Sequence, residues 1–194
     1  MKKWSLNFRI WHWIHAAVIL GLLGTVFLRK TFLSWRTNSD ILAQKLSSID
    51  LAVTADQAKM LAKSIRAPMW EWHIILGYAL AALVIWRIAL FFTKSGKVNY
   101  QNLGTESIHK KLVKAGYIVI YLIIAFMTVS GFIIYFYQEL GLVKDTAHDI
   151  KEIHELAYNA LLYFVPLHIL GIFIAENSGE KGILSDMVNG GKYV

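Results

Sequence analysis

The 194-residue chain has no cysteine, only two prolines and few charged residues. The absence of cysteine excludes disulfides, thiolate zinc sites, iron–sulfur clusters and cofactors attached through thioether bonds. Charged residues make up 17% of the sequence and apolar residues 56%, whereas soluble domains contain about 25% and about 45–50%. This balance excludes a soluble enzyme domain, a disordered chain and a nucleic-acid binder. The net charge of +7 is typical of basic cytoplasmic loops in a membrane protein.

Four apolar segments, at about residues 10–28, 72–92, 115–137 and 153–175, are long enough to cross a bilayer, which takes about 20 residues of helix. Each is predicted to be a helix, because lipid cannot satisfy backbone N–H and C=O groups and a helix satisfies them internally. We therefore predict an all-α integral membrane protein. Residues 1–194 are expected to form a single domain, a four-helix bundle.

The connection 29–71 is expected to lie outside the membrane and to be partly helical. Thr54 and Gln57 form a capping-box pattern that predicts the start of a helix. The pair Ala67-Pro68 predicts the end of that helix. The connection serves either as a solvated cap on the bundle or as a docking surface for a partner, and the sequence leaves both open.

The loop 93–114 carries five lysines against the single acid Glu106. Basic loops remain on the cytoplasmic side of a membrane, so this asymmetry predicts that the loop and both termini are cytoplasmic. The connection 29–71 weakens this prediction because it contains seven lysines and arginines of its own.

The histidines show an informative spacing in the fourth span. His154 and His168 are 14 residues apart, so on a helix they share one face and lie about 21 Å apart along the axis. One imidazole is therefore expected near each side of the bilayer. His148 lies 20 residues before His168 and points to the opposite face, which predicts a place in the outer loop.

Two other spans can complete two pairs of imidazoles. In an antiparallel bundle His12 lies at the depth of His168 on the inner side, and His73 lies at the depth of His154 on the outer side. Two neutral imidazoles suit a haem with both axial positions filled better than zinc, which takes four ligands. On geometry alone His15 remains an alternative to His12.

Further residues near these histidines are candidates for cofactor binding. Arg87 lies 14 residues after His73, so it shares the face of His73 at the inner level. It either faces the carboxylates of an inner haem or snorkels toward the membrane surface. Gly77 and Gly171 lie one turn from a histidine and allow either close approach of a flat cofactor or close helix packing.

Four motifs resemble those of the b-type cytochrome subunits of membrane-bound nickel–iron hydrogenases and the related bacterial cytochromes b561. They are Arg9-Ile-Trp-His-Trp13; His73-Ile-Ile-Leu-Gly77; Ile108-His-Lys-Lys-Leu112 leading to Ser130-Gly131; and His154 with His168 and the tail Met187-Val-Asn-Gly190. The resemblance implies that His12, and not His15, is a haem ligand. The entry to the third span and the connection 29–71 depart from the hydrogenase subunits.

The resemblance implies two haem b groups, the inner one ligated by His12 and His168 and the outer one by His73 and His154. It further implies transmembrane electron transfer between the membrane quinone pool and a redox partner (a hydrogenase, reductase or cytochrome) in the bacterial inner membrane. A self-sufficient quinol-dependent oxidoreductase is the alternative, and a non-redox transporter or assembly protein is a third hypothesis. No catalytic residue is predicted. The roles of His15, His109 and His148 and the oligomeric state, a homo-oligomer included, are left open.

Overall fold

The computed structural model of the protein describes residues 4–93, 108–178 and 181–191. Within these ranges every regular element is a helix and no strand occurs, which confirms the predicted all-α class. The helices are α1 (Leu6–Lys30), α2 (Trp35–Ser47), α3 (Ala55–Phe92), α4 (Ile108–Tyr135), α5 (Lys144–Ser178) and α6 (Ile183–Val188). Most of the basic loop that supports the orientation, residues 94–107, lies outside the described residues.

Helices α1, α3, α4 and α5 are long and apolar enough to cross a membrane. Their outward faces carry large apolar side chains such as Leu20, Ile85, Leu122 and Phe173, each more than half exposed. Contact of such apolar faces with lipid costs no free energy, whereas their contact with water is unfavourable. The chain is therefore a multi-pass membrane protein. Each spanning helix begins before the apolar segment from which it was predicted.

The prediction that Ala67-Pro68 ends a helix is wrong. Helix α3 continues through Pro68 to Phe92. The predicted capping box is confirmed, because the Thr54 N–H donates to Gln57 Oε1 at 2.8 Å and the Gln57 N–H donates to Thr54 Oγ1 at 3.2 Å. Proline removes only one backbone hydrogen bond and its φ suits a helix. The capped turns before Pro68 and the long apolar segment after it maintain the helix on both sides.

The sequence predicts an outer loop at residues 138–152, between the third and fourth spans, and the loop in the structure is shorter. The turn after α4 contains Gly141 at a φ of 68°, and α5 begins at Lys144 with Asp145 in its first turn, where a negative charge stabilises a helix. His148 therefore lies on α5 rather than in a loop. Its exposed ring is 3.6 Å from the carboxylate of Glu152, one turn later.

The chain divides into two compact units, one formed by Met1–His15 with Ala81–Val194 and the other by Ala16–Leu80. We call them the histidine-pair unit and the central unit. In the first, α4 packs against α5, and α5 packs against α6. The Trp11 indole N–H donates to the Leu83 carbonyl at 2.8 Å and joins the start of α1 to α3. In the central unit the buried side chains include Ile19, Leu23, Ala58, Ala62 and Met69. One domain over residues 1–194 stays a prediction.

Candidate functional site

The histidine-pair unit brings His12 of α1 and His168 of α5 together. Their ring centres are 6.4 Å apart and the ring planes are inclined by 52°. Two imidazole nitrogens bound to one metal at about 2 Å, with ring centres about 1 Å behind them, give a separation of about 6 Å. The observed separation therefore matches two imidazoles that share one metal ion.

Aromatic side chains surround this pair. Phe164 stacks on the His168 ring at 5.6 Å, and Tyr117 meets it edge-on at 6.2 Å. Trp13 meets the His12 ring edge-on at 5.3 Å. The Nδ1 atom of His12 is buried and has no hydrogen-bond partner among the described residues. A buried polar atom without a hydrogen-bond partner is costly, so this one indicates a place for a ligand.

His15 occupies a different environment from His12. Its ring stacks on Trp11, with centres 4.8 Å apart and planes inclined by 20°. Within the described residues, the ring of α1 that contacts His168 is that of His12. The geometry thus favours His12, the ligand that the resemblance implies, over His15.

Arg87 lies among aromatic rings in the same unit. Its guanidinium carbon is 5.1 Å from the ring centre of Tyr121, 5.4 Å from Phe8 and 5.6 Å from Trp11. Its Nε–H donates to the Tyr121 hydroxyl at 3.3 Å, and its Nη1 is buried with no partner among the described residues. The side chain turns inward toward these rings, which stabilise a desolvated cation, instead of snorkelling. The unpartnered nitrogen leaves Arg87 ready to donate to an anion.

A second arginine was not among the predicted site residues. Arg9 lies one turn before His12 and its buried Nε has no partner among the described residues. Its guanidinium lies against the backbone of Gly190, where an added Cβ would collide with Nη1. The Trp13 indole N–H donates to the Met187 carbonyl at 3.2 Å. The start of α1 thus contacts the end of α6 and the segment after it. The sequence signal that could have identified Arg9 as a site residue is its position one turn before His12.

His154 also lies in the histidine-pair unit, where α4 provides its partner. Its Nδ1 is 2.7 Å from Ser130 Oγ, and the Ser130 hydroxyl donates to the Phe126 carbonyl at 2.7 Å. Ser130 is almost completely buried. A Cβ added to Gly131 would be 3.5 Å from His154 Cε1, an ordinary packing distance.

His73 lies in the central unit and has an equivalent partner from α1. Its Nδ1 is 2.8 Å from Thr25 Oγ1, and the Thr25 hydroxyl donates to the Leu22 carbonyl at 2.7 Å. Trp70 stacks on the His73 ring at 5.1 Å with nearly parallel planes. Because His73 and His154 belong to different units, their pairing stays a prediction. Sequence reasoning missed Thr25 and included Ser130 in a motif without predicting a role for it; the signal for both is a hydroxyl inside an apolar span.

The two predicted glycines leave open surface beside histidines on their own helices. A Cβ added to Gly77 or Gly171 would meet no atom of the described residues within 4 Å. Gly77 is four residues after His73, and Gly171 is three residues after His168, so each lies near the face of its histidine. The alternative that these glycines serve close helix packing is therefore not supported.

The available donors fit a haem better than a metal ion held by protein alone. No group of three or more His, Cys, Asp or Glu side chains converges within the described part of the chain. Zinc sites need such a group, whereas a haem needs two axial ligands from the protein. The His12–His168 pair supplies two neutral nitrogens, and Arg87 and Arg9 supply unpartnered N–H groups for the carboxylates of a haem. The side chain of His109 lies outside the described residues.

A known protein family matches nearly the whole chain. The model of the prokaryotic cytochrome b561 family matches residues 3–190. No curated protein and no solved structure matches the chain. Because the match extends over nearly all of the sequence, this chain belongs to the prokaryotic cytochrome b561 family, whose function is electron transfer through b-type haem in the membrane.

Proposed function

We propose that this protein carries electrons across the membrane between two b-type haems. His12 and His168 would hold the inner haem, and His73 and His154 would hold the outer one. The observation that most supports the proposal is the 6.4 Å separation of the His12 and His168 rings. This separation is typical of two axial ligands of one metal.

A bound b-type haem supplies a reversible one-electron iron couple, whose potential depends on its ligands and its burial. The protein contributes the surroundings of that couple. Phe164 and Tyr117 cover part of the His168 ring with apolar surface, which lowers the local dielectric. Arg87 supplies a positive charge with an unpartnered N–H, which favours the carboxylates of the inner haem.

The proposed outer pair is supported by helix geometry. His154 precedes His168 by 14 residues of one helix, α5, so the two imidazoles are about 21 Å apart on one face. Arg87 follows His73 by the same number of residues on α3. One helix thus supplies a ligand at each depth, and another supplies a ligand at one depth and a cation at the other.

We also propose that the protein exchanges electrons with membrane quinone at one side and with a redox partner protein at the other. Both termini would face the cytoplasm, in the inner membrane of a bacterium, as the lysine-rich loop 93–114 suggests. The alternative, a self-sufficient quinol-dependent oxidoreductase, differs in one measurement. Quinol added to the purified chain with a small oxidant should produce steady turnover only under that alternative.

The test of the proposal is haem quantitation with a reduced-minus-oxidised visible spectrum of the purified protein. We expect two b-type haems per chain. His168→Ala should remove one haem and retain the other, and His154→Ala should remove the second and retain the first. His148→Ala is the matched control, because its exposed ring contacts Glu152 on the same helix, and it should retain both.

The outcomes separate the parts of the proposal. A chain that binds no haem would contradict it entirely. If both haems remain in His168→Ala, the inner ligand is assigned wrongly. If His15→Ala loses the haem that His12→Ala retains, the neighbouring histidine is the ligand.

A further inference from the structure

Two buried hydroxyl groups contact the proposed outer ligands at the same ring atom. Thr25 Oγ1 lies 2.8 Å from His73 Nδ1 in the central unit, and Ser130 Oγ lies 2.7 Å from His154 Nδ1 in the histidine-pair unit. Thr25 is 9% exposed and Ser130 is 2% exposed. Each contact therefore lies where water does not compete for the hydrogen bond.

The position of the hydroxyl proton of Thr25 determines which group donates in its hydrogen bond to His73. A hydroxyl has a single proton to donate. Thr25 Oγ1 is 2.7 Å from the Leu22 carbonyl oxygen, and a contact of that length between two oxygens requires a proton between them, which only the hydroxyl can supply. The bond to the imidazole must then use a proton on the ring, so His73 donates from Nδ1 to Thr25.

The same reasoning applies to Ser130. Its hydroxyl donates to the Phe126 carbonyl at 2.7 Å, so its oxygen accepts the proton of His154 Nδ1. A neutral imidazole protonated at Nδ1 has its lone pair on Nε2. Both hydroxyls therefore select the tautomer in which Nε2 is the metal-binding atom, and each also restrains rotation of its ring.

In the described part of the chain, the proposed inner ligands His12 and His168 have no such hydroxyl partner. The buried Nδ1 of His12 lacks a hydrogen bond among the described residues. The contacts of His168 in those residues are with the rings of His12, Tyr117 and Phe164. The two proposed haem sites thus differ in the hydrogen bonding of their ligands, although all four ligands are histidines.

We propose that Thr25 and Ser130 are positioning residues that set the potential of the outer haem below the value it would have without them. The inference rests on the proposed function, which assigns His73 and His154 as ligands. An accepted Nδ1–H bond makes the ring a better electron donor to iron, which stabilises the ferric more than the ferrous form. Among the described residues, no hydroxyl makes an equivalent hydrogen bond to His12 or His168, the proposed ligands of the inner haem.

The test is a redox titration of the intact two-haem protein, followed by visible and electron paramagnetic resonance spectra. Thr25→Val and Ser130→Ala remove the hydroxyls with little change in volume. Loss of an outer-shell partner changes metal binding by about tenfold or more, and a tenfold change in the ferric-to-ferrous equilibrium corresponds to about 59 mV for one electron. We expect each variant to raise the potential of the outer haem and to leave the inner haem unchanged.

Matched controls are available close to the same helices. The hydroxyls of Thr31, the residue after α1, and of Thr128 on α4 donate to the carbonyls of Phe27 on α1 and Ile124 on α4, at 2.8 Å and 2.9 Å. Thr31→Val and Thr128→Val should leave both potentials unchanged. Thr25→Ser retains the hydroxyl and should restore the original potential, so it separates the hydrogen bond from packing if Thr25→Val folds poorly.

The outcomes distinguish this inference from the function on which it rests. Two haems with unchanged potentials and spectra in Thr25→Val and Ser130→Ala would overturn the inference alone. A shift of the inner haem instead of the outer haem would overturn it as well. If the unmodified protein binds fewer than two haems, or if His154→Ala retains both, the proposed function fails and the inference fails with it.

Discussion

Replacing Gly190 by alanine tests whether the contact between Arg9 and the segment after α6 stabilises the histidine-pair unit. Gly190 has a φ of 75°, a backbone conformation that costs about 1–2 kcal/mol for a residue with a Cβ. The added Cβ would also collide with Nη1 of Arg9. Gly190→Ala should therefore lower the free energy of unfolding by more than the backbone cost alone.

Gly141→Ala is the matched control for the backbone cost. Gly141 has a similar φ of 68°, but its added Cβ would meet no atom of the described residues within 4 Å. Gly141→Ala should cost about 1–2 kcal/mol, and each kcal/mol lowers the Tm by about 2–4 °C in a chain of this length. Gly190→Ala should show a larger fall in Tm than Gly141→Ala when thermal unfolding is measured in detergent.

A double-mutant cycle separates the two contributions of Gly190. In an Arg9→Ala background the collision disappears, so Gly190→Ala should cost no more there than Gly141→Ala does in the unmodified protein. Since Arg9 is one turn from His12, Gly190→Ala should also change the spectrum of the inner haem. Equal losses of stability for Gly190→Ala and Gly141→Ala, with no coupling to Arg9, would refute the reasoning.

The remaining predictions concern Arg87 and the helix glycines. Arg87→Met removes a cation that is proposed to face the carboxylates of the inner haem, so the potential of that haem should fall in a redox titration. Arg87→Lys retains the positive charge, so the fall in potential should be smaller. An unchanged potential in Arg87→Met would contradict that role. Gly24→Ala adds a Cβ that meets no atom of the described residues and should stabilise α1 by up to about 1 kcal/mol. Gly21→Ala places a Cβ 3.0 Å from Leu76 Cδ1, so thermal unfolding should show less stabilisation than for Gly24→Ala. In a Leu76→Val background this difference should disappear, and equal effects of the two alanines in the unmodified protein would count against close packing at Gly21.

The sequence determined the class of the protein because membrane insertion leaves a signature in composition. A span needs about 20 apolar residues and can only be a helix if it is a single segment, so the lengths and number of the spans follow from hydropathy. The spacing of His154 and His168 follows in the same way, because a regular helix converts sequence separation into depth and direction.

Local rules were less reliable where several of them competed. The pair Ala67-Pro68 predicted the end of a helix, but α3 continues because helical segments on both sides outweigh one missing hydrogen bond. The acidic segment 138–152 was expected to be a loop, yet α5 begins at Lys144. Propensity describes a residue alone, whereas helix continuity depends on the length of the stabilised segments beside it.

Only the tertiary structure decided which side chains from different helices meet. Sequence spacing left His12 and His15 both open, and packing places the ring of His12 beside that of His168. It also supplied the aromatic surroundings of Arg87 and the hydroxyls of Thr25 and Ser130. Periodicity fixes the direction of a side chain on its own helix, but the rotation of one helix against another depends on the packing of all the side chains between them.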